Sequence, residues 1–280
     1  MKQNLNIDTK NKSLINITIY ESSNTRNILI INSATGVKQD FYEKFSEFME
    51  QNQITVVTYD YHGIGKSLYN DLKSLNNSLY DWGNNDFEAV LLYCTEKYPD
   101  SNLTVLGHSI GGQIIGLTEK AISINKIILV CAQSGYWGHW SGFNKMKMWL
   151  NWNVLFPTLI NLCGYMPSKK FSGMENLPKN VAKEWRNWCI SKNYLFDCLN
   201  SNKVYYSQIN TNIISYSIDD DDYAPRKAVE WMTSKFCNTK IESKHIFPKD
   251  LNQKYIGHFG LFKNRFEKSF WEEIKNKILE

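Results

Sequence analysis

Hydrophobic and polar positions change period several times along this chain. In residues 14–20 (LINITIY) they alternate, as in a strand with one face covered. Residues 28–31 form an unbroken apolar run, which suits a strand buried on both faces. Phe41, Phe45, Phe48 and Met49 then recur at helical spacing. Residues 54–59 read as strand. Residues 81–98 read as a helix with Phe87, Val90, Leu91 and Cys94 on one face, stopped by Pro99. A strand over 103–106, a helix over 113–120 and a strand over 127–131 follow. Strands and helices in alternation predict an α/β fold, with a mostly parallel sheet covered by helices on both faces.

The alternation stops after Cys131. Residues 133–204 show no clear strand, and they hold six of the nine tryptophans (137, 140, 149, 152, 185 and 188). Pro157, Pro167 and Pro178 divide this stretch into short helical pieces. Strand, helix and strand return at 213–217, 224–235 and 240–247, and a helix over 265–279 closes the chain. The expected organisation is an α/β core over residues 1–132 and 205–280, interrupted by a helical, tryptophan-rich insertion over 133–204.

Composition narrows the function classes. The 32 basic and 28 acidic side chains nearly cancel, leaving a net charge of +4, so no electrostatic footprint for nucleic acid exists. The six cysteines (94, 131, 163, 189, 198 and 237) form no CxxC pair, so no zinc knuckle or thioredoxin-like motif is present. The first residues are polar and lack the apolar core of a signal peptide. No apolar run reaches the length of a membrane span, about 18 residues. These features lead us to expect a cytoplasmic protein with free thiols and no membrane span. A small molecule is the expected partner, and a homodimer is compatible with this reading.

The chemistry begins at Gly107-His108-Ser109-Ile110-Gly111. A strand precedes this segment and a helix is predicted after it. A sharp strand-to-helix turn would hold Ser109 in a strained conformation with its hydroxyl presented, and the flanking glycines remove Cβ atoms that would collide. Ser109 is thus the candidate nucleophile. The amide of Ile110, next in sequence, is the expected donor to an oxyanion.

A serine hydroxyl needs a base. Of His62, His108, His139, His245 and His258, the last lies in a glycine-flanked loop (YIGHFG) after the final strand, where the order serine, acid, histidine puts the base. The acid should follow the strand before that one, where the chain reads Asp219-Asp220-Asp221-Asp222. Asp221, measured back from Pro225, is the preferred acid and Asp220 the alternative. The others are expected to cap a helix or face solvent, and repulsion within the run should raise some of their pKa values. No EF-hand spacing surrounds these carboxylates, and neither a metal nor a cofactor is called for.

With these sites together, the chain resembles the α/β-hydrolases from end to end. Residues 58–67 (TYDYHGIGKS) are similar to that superfamily's loop after the fourth strand, with His62 in place of its arginine. More narrowly, residues 33–37, 184–189, 220–225 and 256–260 resemble a group of bacterial α/β-hydrolases of undefined substrate. The resemblance implies a helical lid inserted after the sixth strand. It also implies a second oxyanion amide from the loop after the third strand. That loop usually begins His-Gly but here reads Ser33-Ala34-Thr35, which puts Thr35 at the donor position. The implied activity is cleavage of an ester or thioester of an apolar acyl group through an acyl-enzyme on Ser109. Two alternatives remain open: an acyltransferase using the same residues, and a non-catalytic ligand-binding protein. The apolar segment 146–156 suggests an acyl pocket, and the competing reading is that the tryptophans pack the lid itself.

Overall fold

A computed structural model describes residues 1–280 and places eight strands in one sheet. These are β1 (Lys2–Asp8), β2 (Leu14–Tyr20), β3 (Asn27–Asn32), β4 (Thr55–Tyr59), β5 (Asn102–His108), β6 (Lys126–Val130), β7 (Asn212–Ile218) and β8 (Ile241–Ile246). Their order is β1-β2-β4-β3-β5-β6-β7-β8. β1 and β2 run antiparallel, and every pair from β4 to β8 is parallel. The chain therefore has the mostly parallel α/β sheet that its periodicity predicts, in the α/β-hydrolase fold that the resemblance implies. β3 lies between β4 and β5, so the strand order reverses there. A crevice opens at the carboxyl ends of the strands at such a point.

Alternate residues of one strand enter different cores. Ile28 and Ile30 belong to a cluster of 44 buried residues on one face, while Leu29 and Ile31 belong to a cluster of 26 on the other. Helix Glu43–Gln51 covers the second face with Phe45 and Met49. Each such side chain contributes roughly 1.5–3 kcal/mol by its burial.

Between β6 and β7 no strand forms, and a single bridge pairs Met166 with Leu177. Helices Gly142–Leu150 and Phe156–Cys163 join through a π-helical turn, Asn151–Leu155, and helix Lys179–Ile190 packs against that turn and the second of them. Trp152, Phe156, Ile160 and Trp188 enter the same core cluster as the sheet residues.

Two elements differ from what the pattern of the sequence suggests. The first strand, β1, leaves no strand signal there, because its apolar contribution is only Leu5 and Ile7 among polar residues. It is an edge strand whose residues are alternately exposed and half-buried. The helix expected over 113–120 is instead one turn, Ile110–Gln113, followed by 3-10 turns. The Tyr206 hydroxyl takes the Gln113 carbonyl, and its ring packs where Gly116 would carry a Cβ. Thr118 is then extended, which ends any helix.

Candidate active site

Ser109 sits at φ +55 and ψ −120, a left-handed conformation that costs a non-glycine residue on the order of 1–3 kcal/mol. Its amide donates to the Val130 carbonyl at 2.9 Å, which ties the turn to β6. A Cβ on Gly107 would overlap the Gly112 backbone, and one on Gly111 would overlap the Asn32 carbonyl. The two glycines are therefore what lets the turn close against β3. With only one helical turn behind it, the site receives individual amides rather than the dipole of a long helix.

β3 delivers the second loop to the same place. Asn32 pairs with Gly107 across the sheet, and its side-chain amide donates to the Gly111 carbonyl at 3.1 Å. Beyond it, the Ala34 amide donates to the Tyr42 hydroxyl at 3.0 Å, and the Gly36 carbonyl accepts from Glu175 of the helical segment at 2.7 Å. Thr35 and Ile110 are both buried, yet neither amide donates to any protein acceptor. The Thr35 hydroxyl likewise has no partner. Buried amides without partners are rare, and these two lie on the loops that follow the neighbouring strands β3 and β5, free to meet an acceptor.

His258 and Asp221 form a buried pair, with Nδ1 2.7 Å from Oδ2. The other Asp221 oxygen accepts from the amides of Tyr223 and Ala224 at 2.8 and 3.0 Å. Burial alone would raise this carboxyl. The charge and hydrogen bond of His258 outweigh that, and the Cys131 thiol and the Tyr223 amide add to them, so Asp221 lies below the usual carboxylate range. The rise expected from repulsion within the aspartate run does not occur at Asp221, where burial is what opposes ionisation and the partners outweigh it.

The neighbouring aspartates have separate tasks. Asp220 accepts from the amides of Ile256 and Gly257 at 2.8 and 3.0 Å, fixing the loop that carries His258. Asp219 lies 3.4 Å from His245 Nε2, whose Nδ1 meets the Ser217 hydroxyl at 2.8 Å. The Asp222 carbonyl accepts from the Trp140 indole at 2.8 Å.

His108 is wholly buried. Its Nε2 donates to the His258 carbonyl at 2.9 Å, so Nδ1 accepts from the Tyr42 hydroxyl at 2.8 Å. Burial, reinforced by the nearby His258, pushes its pKa down to about 3, and it stays neutral. One chain of contacts thus runs from the Ala34 loop through Tyr42 and His108 to the His258 loop.

Three polar residues near the serine escaped sequence reasoning. The Ser109 hydroxyl donates to Gln133 Oε1 at 3.4 Å, and no hydrogen bond joins it to His258. Gln113 also donates to Gln133, and the Tyr194 hydroxyl donates to Gln113 at 2.6 Å. No motif marks these positions. Only their placement after β6, in the helical turn behind Ser109 and just past helix Lys179–Ile190 brings them together.

The tryptophans divide. Trp152, Trp185 and Trp188 pack inside the helical segment against each other or neighbouring rings, and Trp152 and Trp188 are buried. Arg186 donates to the Trp152 carbonyl rather than stacking on an indole. Met146, Trp149, Leu150, Val154 and Leu155 are exposed while Trp152 and Phe156 are buried, which favours the reading that the rings of this segment pack the insertion itself. A polar recess of about 450 Å³ lies beside Asp221, lined by residues including His139, Asn144, Asp219, Arg226 and His245. Cys131, Asp221 and His258 offer one ligand atom each, mutually within 4.8 Å, but the histidine and aspartate atoms are engaged with each other. All six cysteines are free.

Residues 23–192, more than half of the chain, match the family described as serine aminopeptidase, S33. No curated protein matches the chain. Among solved structures it is similar to an esterase from Exiguobacterium antarcticum, at 16% identity and a TM-score of 0.63, covering 99% of this chain and 100% of that one. It is also similar to a highly thermostable carboxyl esterase from Bacillus coagulans (15%, TM-score 0.60, 99% and 96% covered). A lipase-esterase related protein from Clostridium acetobutylicum matches at 16% identity and TM-score 0.58, over 94% and 98% of the two chains.

Proposed function

Because this chain belongs to the serine aminopeptidase S33 family of α/β-hydrolases, we propose that it is a serine hydrolase that cleaves carboxylic esters or thioesters. Ser109 is the nucleophile, His258 the base and Asp221 the acid. Residues 133–204 serve as a lid on a core made of residues 1–132 and 205–280. The observation that carries this reading is the strained Ser109 together with two buried, unspent amides, those of Ile110 and Thr35.

In the free enzyme the Ser109 hydroxyl rests on Gln133. Substrate entry turns it toward His258 Nε2, whose other nitrogen is held by Asp221. Attack on the carbonyl carbon passes the hydroxyl proton to Nε2. Asp221 stabilises the resulting imidazolium without taking its proton. The carbonyl oxygen becomes an oxyanion and accepts from the Ile110 and Thr35 amides, each worth about 3–4 kcal/mol of barrier. His258 then protonates the departing alkoxide or thiolate, leaving an acyl group on Ser109. Water, deprotonated by the same imidazole, releases the acid and restores the serine.

Turnover of p-nitrophenyl esters of increasing acyl length tests this reading. The chain should hydrolyse at least one, and Ser109→Ala should reduce kcat by on the order of 10⁴-fold or more. No ester turnover by the intact chain, across acyl lengths, would remove the assignment.

A further inference from the structure

We infer that the outer face of the lid is a docking surface for anionic lipid membranes. Helix Gly142–Leu150 has no buried residue. Phe143, Met146 and Leu150, spaced i, i+3 and i+7, line one side of it, and Phe143 is 74% exposed. Trp149 beside it and Val154 within the π turn are also exposed, as is Leu162 of the next helix, at 78%. Scattered exposed apolar residues are ordinary. A stripe of them on a helix that turns only Met148 toward the core is not.

Charge identifies the occupant. The whole chain is nearly balanced, yet residues 133–174 contain no aspartate or glutamate. The same stretch carries Lys145, Lys147, Lys169 and Lys170. Lys169 is paired with Glu175, and Asn144 meets Asp222 at the foot of the helix, while Lys147 and Lys170 have no ion-pair partner and Lys145 lies over the Trp137 ring without one. An apolar stripe rimmed by lysines is the composition of a helix that lies in the headgroup region, apolar side down. A symmetric dimer through this face would oppose Lys145 and Lys147 of both copies, which disfavours a second copy as occupant. No helix is long and apolar enough to cross a membrane, so the contact is peripheral. Trp140, at the foot of the helix, bonds the Asp222 carbonyl next to Asp221, so a docked lid would hold the site near acyl chains.

The test is co-sedimentation of the full chain with vesicles of equal parts phosphatidylglycerol and phosphatidylcholine, and with phosphatidylcholine alone. Binding should favour the anionic vesicles by about tenfold or more and weaken as salt rises. The double variant Lys145→Gln, Lys147→Gln should bind about thirtyfold more weakly. The variant Phe143→Ser, Leu150→Ser should lose binding by about tenfold or more. These side chains are exposed, so both variants should melt like the parent and hydrolyse a short soluble ester equally. Ser109→Ala should bind vesicles like the parent, which keeps this inference separate from the catalytic one. Equal binding to both vesicles, or double variants that bind as the parent does, overturns it. So does a stable dimer that Phe143→Ser, Leu150→Ser dissociates.

Discussion

The Nε2 of His108 donates to the backbone carbonyl of His258 across 2.9 Å, so the residue before the elbow serine holds the loop that carries the other imidazole. Serine and histidine come from distant parts of the chain, and this strut fixes one relative to the other.

Replacing His108 by Phe keeps a ring in the core but removes both of its hydrogen bonds. The freed His258 loop should lower kcat by about tenfold to a hundredfold, the loss of 1–3 kcal/mol of positioning, with KM little changed. Steady-state kinetics on a p-nitrophenyl ester reads this, and an unchanged kcat contradicts it. His108 also predicts a pH dependence. Its folded pKa, about 3, lies below the ordinary histidine value near 6.5, so the unfolded chain binds the proton first. Its contribution to stability is complete above pH 6.5 and is lost as pH falls toward 3. His108→Phe should flatten denaturant-measured stability across that window.

Asp220 and Asp221 differ by one position but should separate sharply. Asp221→Asn leaves a neutral partner on His258 Nδ1 and should cost kcat on the order of 10³–10⁴-fold. Asp220→Asn weakens two bonds to the Ile256 and Gly257 amides and should cost kcat about tenfold, with some stability. If the Asp220 variant is the more damaged in kcat, the acid is misassigned.

Asp86 tests burial with the opposite sign. It is fully buried, and its oxygen accepts only the His62 amide at 2.8 Å. Burial, aided by Asp81, pushes its pKa up to about 8. The folded state therefore holds a proton that the unfolded state releases near pH 4, and stability falls as pH rises from 4 to 8. Asp86→Asn keeps an acceptor for His62 and discards the charge. It should raise stability at pH 8 by about 1–3 kcal/mol and change little at pH 4. Urea unfolding at the two pH values measures the difference, and a variant less stable at pH 8 refutes the account.

Most of the sheet was legible in the sequence because parallel strands buried on both faces are unbroken apolar runs. β3 and β6 are of this kind, and β4, β5 and β7 depart from it by buried threonine or serine. β1 was not, since an edge strand needs only two apolar residues to cover its neighbour. The missing helix after the elbow was decided by Tyr206, more than ninety residues later, which no local window contains. The serine, histidine and acidic run stood out because turn chemistry and chain order mark them. The tasks of the four aspartates did not, because neighbouring carboxylates are alike until the folded loops give each its own donors. Gln133, Gln113 and Tyr194 carry no motif and join the site only through packing.

The central claim is that Ser109 carries a covalent acyl intermediate. Intact-mass analysis after treatment with a fluorophosphonate tests it most directly. The parent chain should gain one adduct, mapped by peptide sequencing to Ser109, with ester hydrolysis lost in step. Ser109→Ala should gain none and hydrolyse nothing. An adduct of equal yield on Ser109→Ala, or ester hydrolysis that survives in that variant, would contradict the account.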